Sequence, residues 1–96
     1  MTCLEELRGK IDEIDRKLGE LFEQRMELVE KIAEYKRQNG LPVLDREREK
    51  AVIEKNISRL KKKKLVEETE DFFSNLMRIS REYQEKKILE MNNSAE

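Results

Sequence analysis

Arg25 and Lys36 stand eleven residues apart in a stretch whose apolar spacing is that of a helix. At about 100° per residue this separation is three turns with roughly 20° left over, so both cations leave the helix along one stripe and can bracket a small anion. Arg25 falls in a register of apolar residues, between Leu21 and Leu28. A guanidinium there needs a carboxylate, from the protein or from a ligand. Arg8 lies about 100° around the same cylinder and roughly 25 Å from Arg25 along it, out of reach of the same site in its own chain. Further on, Asp45 and Glu49 stand one turn apart with Arg48 alongside, and Ser80 and Gln84 stand one turn apart beside Phe73, Leu76, Met77 and Tyr83. There is no His, and Cys3 is the single cysteine, which excludes an intrachain disulfide, a thiolate metal cage and His-based catalysis. The chemistry left is the binding and polarisation of an anion by guanidinium, ammonium, carboxylate and amide groups. Each residue also has a plainer role: an interchain salt bridge or register-setting polar residue for Arg25, a helix cap for Asp45, a solvated face for Arg48 and Glu49, helix packing for Ser80 and Gln84.

Helices must position these groups. The 96 residues are 45% charged and 36% hydrophobic, with three Gly and one Pro, too charged for membrane spans and too poor in turn residues for an all-β fold. Thr2 and Glu5 have capping-box spacing, and from there Leu4, Leu7, Ile11, Ile14, Leu18, Leu21, Arg25, Leu28, Ile32 and Tyr35 follow in steps of three and four up to Asn39-Gly40. A helix of that length runs on the order of 55 Å, whereas a compact globule of this size has a radius of gyration of about 13 Å. Much of it must therefore pack against something outside its own chain, and an antiparallel symmetric dimer would bring Arg8 to the partner's site. Asp45 is placed to cap a second helix carrying Val52, Ile53, Ile57 and Leu60 and ending in Lys61 to Lys64. A third begins near Val66, buries Phe72, Phe73, Leu76, Met77, Ile79 and Tyr83, and fades toward Asn92-Asn93-Ser94 with a frayed end. The expectation is an all-α fold with helices at about 3–38, 46–62 and 66–90, one domain over 1–96, and an intertwined homodimer. With no membrane span, no secretory signal and a formal charge of −1, the expected address is cytoplasmic, with no nucleic-acid or membrane partner.

Read in order, Leu7-Arg8, Ile11-Asp12-Glu13-Ile14-Asp15, Leu18, Leu21, Arg25, Leu28, Lys36, the GLPVLDRERE segment with Pro42-Val43, Asp45 and Arg48-Glu49, and finally Ser80 with Gln84 resemble the all-helical chorismate mutase family. The resemblance spans about residues 4 to 88. It implies rearrangement of chorismate to prephenate on the route to phenylalanine and tyrosine, by a pericyclic reaction without metal, cofactor or covalent intermediate. It assigns the two substrate carboxylates to Arg25 and to Arg8 of the other subunit, and the ether oxygen, where negative charge builds, to Lys36 and Gln84. Glu49 and the backbone near Asp45 would hold the ring hydroxyl, while Arg48 and Ser80 would complete the polar lining. Competing readings are an isochorismate pyruvate lyase on the same scaffold and a noncatalytic helical interaction module. Cys3 is expected to be inert, and the Lys61 to Lys64 run to be solvated charge.

Overall fold

The computed structural model describes residues 3–94 and is helical nearly throughout, with no strand among the described residues. Helix α1 spans Leu4–Gln38, α2 spans Arg46–Ser58 and α3 spans Val66–Ser94, with a short 3-10 turn at Lys63–Leu65 leading into α3. Cys3 occupies the N-cap of α1 without a side-chain bond, and the capping role assigned to Thr2 lies outside the described residues, as do the last residues of the expected frayed end. Helix α1 stops in a Schellman arrangement. Leu41 N–H donates to the Lys36 carbonyl at 2.9 Å and Gly40 N–H to the Arg37 carbonyl at 3.4 Å, with Gly40 at φ 63°, where a Cβ would be strained. Pro42 then bars any continuation of the helix.

Two helix ends differ from expectation. Helix α2 closes at Ser58 instead of near residue 62. Asn56 Nδ2 donates to the Val52 carbonyl and Ser58 Oγ to the Lys55 carbonyl, at 2.8 and 2.6 Å, so side chains compete for the last-turn acceptors. The lysine run then falls in a bend and the 3-10 turn, where four consecutive cations need not line one helix face. Helix α3 continues past residue 90 to Ser94, having no Gly or Pro to stop it.

Helices α1 and α2 each pack on α3 and not on one another. Arg25 meets Ser80, and Glu30 meets Tyr83 and Lys87, so α3 runs parallel to the C-terminal half of α1. Glu49, early in α2, meets Arg81, far along α3, although α2 ends shortly before α3 begins; these two are antiparallel. The buried apolar side chains are Val29 and Ala33 of α1 and Met77 of α3, accompanied by Ser80 and Gln84. Of the expected α3 stripe, Met77 is buried and Phe73, Leu76, Ile79 and Tyr83 are half-buried, but Phe72 is exposed. The Phe72 ring sits edge-on to Phe73, centroids 5.2 Å apart, beside an open cleft that it shares with Phe22.

The heptad seam of α1 is uncovered. Leu4, Leu7, Ile11, Ile14, Leu18 and Leu21 are 48 to 60% exposed, and Leu28, Ile32 and Tyr35 are exposed too, because α3 lies on the neighbouring face defined by Val29 and Ala33. The chain therefore measures 62 × 27 × 14 Å with a radius of gyration of 17.2 Å, well above the roughly 13 Å of a compact chain of this length. No described helix is long and apolar enough to cross a membrane.

Candidate active site

The three helices and the α1–α2 link enclose a cavity of about 210 Å³. Helix α1 supplies Arg25, Val29, Ile32 and Lys36, at steps of four, three and four that keep one face inward. The link and the first turns of α2 supply Val43, Asp45, Arg48, Glu49 and Val52, and α3 supplies Met77, Ser80 and Gln84. Wider clefts exist, including one of about 480 Å³ beside Phe22 and Phe72, but they are more open and lack this convergence of cations.

Several of these polar groups are held by hydrogen bonds between elements. Arg25 Nη1 donates to Ser80 Oγ at 2.5 Å, and Ser80 Oγ donates to the Leu76 carbonyl at 2.8 Å, so the α3 backbone orients the guanidinium through the hydroxyl. Lys36 lies in the last turn of α1, and its Nζ donates to the Val43 carbonyl at 2.8 Å, which leaves two ammonium protons for other acceptors. Asp45 is the N-cap of α2, its Oδ1 accepting the Arg48 N–H at 3.0 Å. That bond fixes where α2 starts and hence where Arg48 and Glu49 point. Both Glu49 carboxylate oxygens accept from Arg81 Nη1, at 2.7 and 2.9 Å.

The electrostatics are unbalanced toward positive. Arg25, Lys36 and Arg48 form no salt bridge with any carboxylate among the described residues. Burial lowers the proton affinity of Arg25, and the nearby Arg48 charge lowers it further. Such a shift still leaves a guanidinium charged at neutral pH. Gln84 is buried, and its Oε1 has no hydrogen-bond partner among the described residues. A buried amide oxygen without a partner is costly and uncommon, and this one belongs to a side chain of the cavity wall. Two guanidinium groups without carboxylate partners, an ammonium with protons to spare and an amide that can turn its NH2 inward, in a small part-enclosed space, can bind a multiply charged oxyanion and stabilise negative charge at one of its oxygens.

Seven of the eight residues singled out in the sequence, Arg25, Lys36, Asp45, Arg48, Glu49, Ser80 and Gln84, line this one cavity. Arg8 does not. It is exposed on the part of α1 that extends beyond α3, some four to five turns from Arg25.

Residues 7–85 match the family described as chorismate mutase type II. The chain belongs to the type II chorismate mutase family. Over 52 residues, 54% of this chain and 52% of the relative, it is 46% identical to the chorismate mutase of Methanocaldococcus jannaschii. Over 54 residues, 56% of this chain but 14% of the relative, it is 44% identical to the T-protein of Haemophilus influenzae. The matched part thus spans about half or less of the length of these curated relatives. No solved structure matches the chain significantly.

Two features of this mutase-family site were missed in the sequence reading. The apolar wall of Val29, Ile32, Val43, Val52 and Met77 was not assigned to the cavity, although Val29 lies one turn from Arg25 and Ile32 one turn from Lys36. Arg81 was not singled out at all. It lies 32 residues from Glu49, and no local spacing signals that pair.

Proposed function

We propose that the chain is a chorismate mutase, converting chorismate to prephenate, and that it works as an intertwined homodimer. The observation that carries the reading is the set of cations without carboxylate partners, Arg25, Lys36 and Arg48, around a cavity also lined by Gln84, whose Oε1 is unpartnered, in a chain of this family. Chorismate is a dianion. Arg25, oriented by Ser80, forks one carboxylate, and Arg8 of a second chain forks the other, a geometry that guanidinium groups satisfy better than ammonium groups. Arg48 adds positive charge to the lining. Glu49 retains acceptor capacity beyond its bonds to Arg81 and takes the ring hydroxyl, together with backbone near Asp45.

The enolpyruvyl ether C–O bond breaks as the new C–C bond forms, with no proton or group leaving the molecule. Negative charge grows on the ether oxygen in the transition state. Lys36 Nζ donates to it from one side and the Gln84 amide, turned so that its NH2 faces the substrate, from the other; both interactions strengthen as the charge develops, which is what accelerates the step. The apolar wall and the flanking cations hold the reactive diaxial conformer and limit its motion.

The dimer rests on the uncovered seam of α1. Covering each of its half-exposed Leu and Ile side chains is worth roughly 1 kcal/mol or more. A chain whose buried apolar side chains among the described residues are Val29, Ala33 and Met77 has little else to hold it together. Ile14→Asp, in the middle of the seam, is therefore expected to convert a dimer into an unfolded or molten monomer in sedimentation-velocity and circular-dichroism experiments. The parent's melting temperature is expected to rise with protein concentration. A compact, concentration-independent monomer would refute the dimer.

The direct test of the activity is to follow chorismate consumption and prephenate formation spectrophotometrically, with isochorismate as a second substrate. Prephenate from chorismate supports the mutase, whereas salicylate and pyruvate from isochorismate alone would reassign the scaffold to lyase chemistry. Because the Gln84 amide is a neutral donor at every pH, kcat is expected to stay within about threefold between pH 5 and 8. A steep fall from pH 5 to 7 would remove Gln84 as the donor to the ether oxygen.

A further inference from the structure

Arg81 follows Ser80 on α3 but does not line the cavity; it reaches across to α2 and bonds both oxygens of Glu49 through one nitrogen. The pair is largely shielded, with side chains 30% and 23% exposed. It links α2 to α3, whereas the other ion pairs among the described residues lie within one helix or, for Lys87 and Glu30, join α3 to α1. Glu49 shares the cavity wall with Arg25 and Arg48. The other acid of that wall, Asp45, already accepts a backbone N–H as the α2 cap. Glu49 is thus the one carboxylate of the lining that could turn inward and neutralise the cavity's own guanidinium groups.

We infer that Arg81 is a positioning residue: by holding Glu49 against α3, it keeps that carboxylate off Arg25 and Arg48 and leaves their charge to the anionic substrate. The inference rests on the mutase reading and deepens it. Two cations without carboxylate partners attract any carboxylate within reach, and a charge-assisted bond to a third guanidinium outside the cavity is the kind of interaction strong enough to compete. If Glu49 were released it would pair with Arg25 or Arg48, and substrate would have to break that pair on binding. That loss falls equally on the bound substrate and on the transition state, so it raises KM and leaves kcat nearly unchanged.

The test is steady-state kinetics with chorismate on the intact chain and on Arg81→Ala, Arg81→Gln, Arg81→Lys, Glu49→Gln and the double variant Arg81→Ala/Glu49→Gln, with melting curves for each. Arg81→Ala and Arg81→Gln are expected to raise KM about tenfold while kcat changes by less than about threefold, and Arg81→Lys to recover most of the loss. In the Glu49→Gln background, where no charge remains to misdirect, removing Arg81 is expected to add nothing further to KM. Unchanged KM in both neutral variants, or an equal rise in KM with and without the Glu49 carboxylate, would overturn the inference. Should Arg81→Ala fail to fold, Arg81→Gln and the double variant decide the matter. An active parent with indifferent Arg81 variants sinks only this inference. A parent that binds chorismate without rearranging it sinks the mutase reading, and the same comparison is then made on Kd by calorimetry. A parent that does not bind chorismate sinks both.

Discussion

Lys36→Ala is expected to lower kcat for chorismate by a hundredfold or more, with the circular-dichroism spectrum and cooperative melt retained. The magnitude follows from removing a donor aimed at charge that develops in the transition state, which costs about 3 kcal/mol or more in a water-poor site. Folding should survive because the lost partner bond, Lys36 Nζ to the Val43 carbonyl, is a single contact in a link already fixed by the Schellman end of α1 and by the Asp45 cap. The measurement is initial rates at saturating chorismate beside a thermal melt. Retention of the parent's kcat would take Lys36 out of the mechanism.

The second large effect concerns Arg8 and Arg25, which the proposed dimer brings to one site from two chains. Arg8→Ala and Arg25→Ala homodimers are each expected to lose activity by orders of magnitude, since each leaves one substrate carboxylate without its fork. When the two variants are co-expressed and allowed to mix, half of the dimers carry one chain of each kind. Such a dimer has one site lacking both arginines and one intact site, so activity returns to roughly a quarter of the parent's under random pairing. If Arg8 served its own chain, mixing would restore nothing; if it had no part in the site, Arg8→Ala alone would keep the parent's activity. The expected contrast is between near silence in the separate variants and a rate readily measured in the mixture.

Much of this molecule is written in short-range patterns. The Asn39-Gly40 stop and Pro42 end α1 in the structure as their conformational limits require, with Gly40 taking the positive φ. Asp45 caps α2 as its side chain suits it to do. The rotation arithmetic that puts Arg25 and Lys36 on one stripe is a property of any α-helix, and both side chains do line one cavity. Burial was harder to read. The apolar heptad of α1 marks a face made to be covered, yet within the chain α3 covers the adjacent face, at Val29 and Ala33. Periodicity locates an apolar stripe but does not say which partner, internal or external, will lie on it. Phe72 is exposed for the same reason, being apolar at a helical step that no other part of the described chain covers.

What the linear sequence determined alone is the helix content, the stops and caps, and the chemical inventory of a site built without His or a metal-binding cysteine cluster. All of these depend on backbone conformational preference and on residue type, which act within a few residues. Tertiary structure alone decided that α1, α2 and α3 close one cavity around Arg25, Lys36, Arg48 and Gln84, that Ser80 and not a carboxylate braces Arg25, and that Glu49 is held from outside by Arg81. Those pairings join side chains 32 and 55 residues apart. Such contacts depend on how whole helices pack, so they have no signature in spacing along the chain.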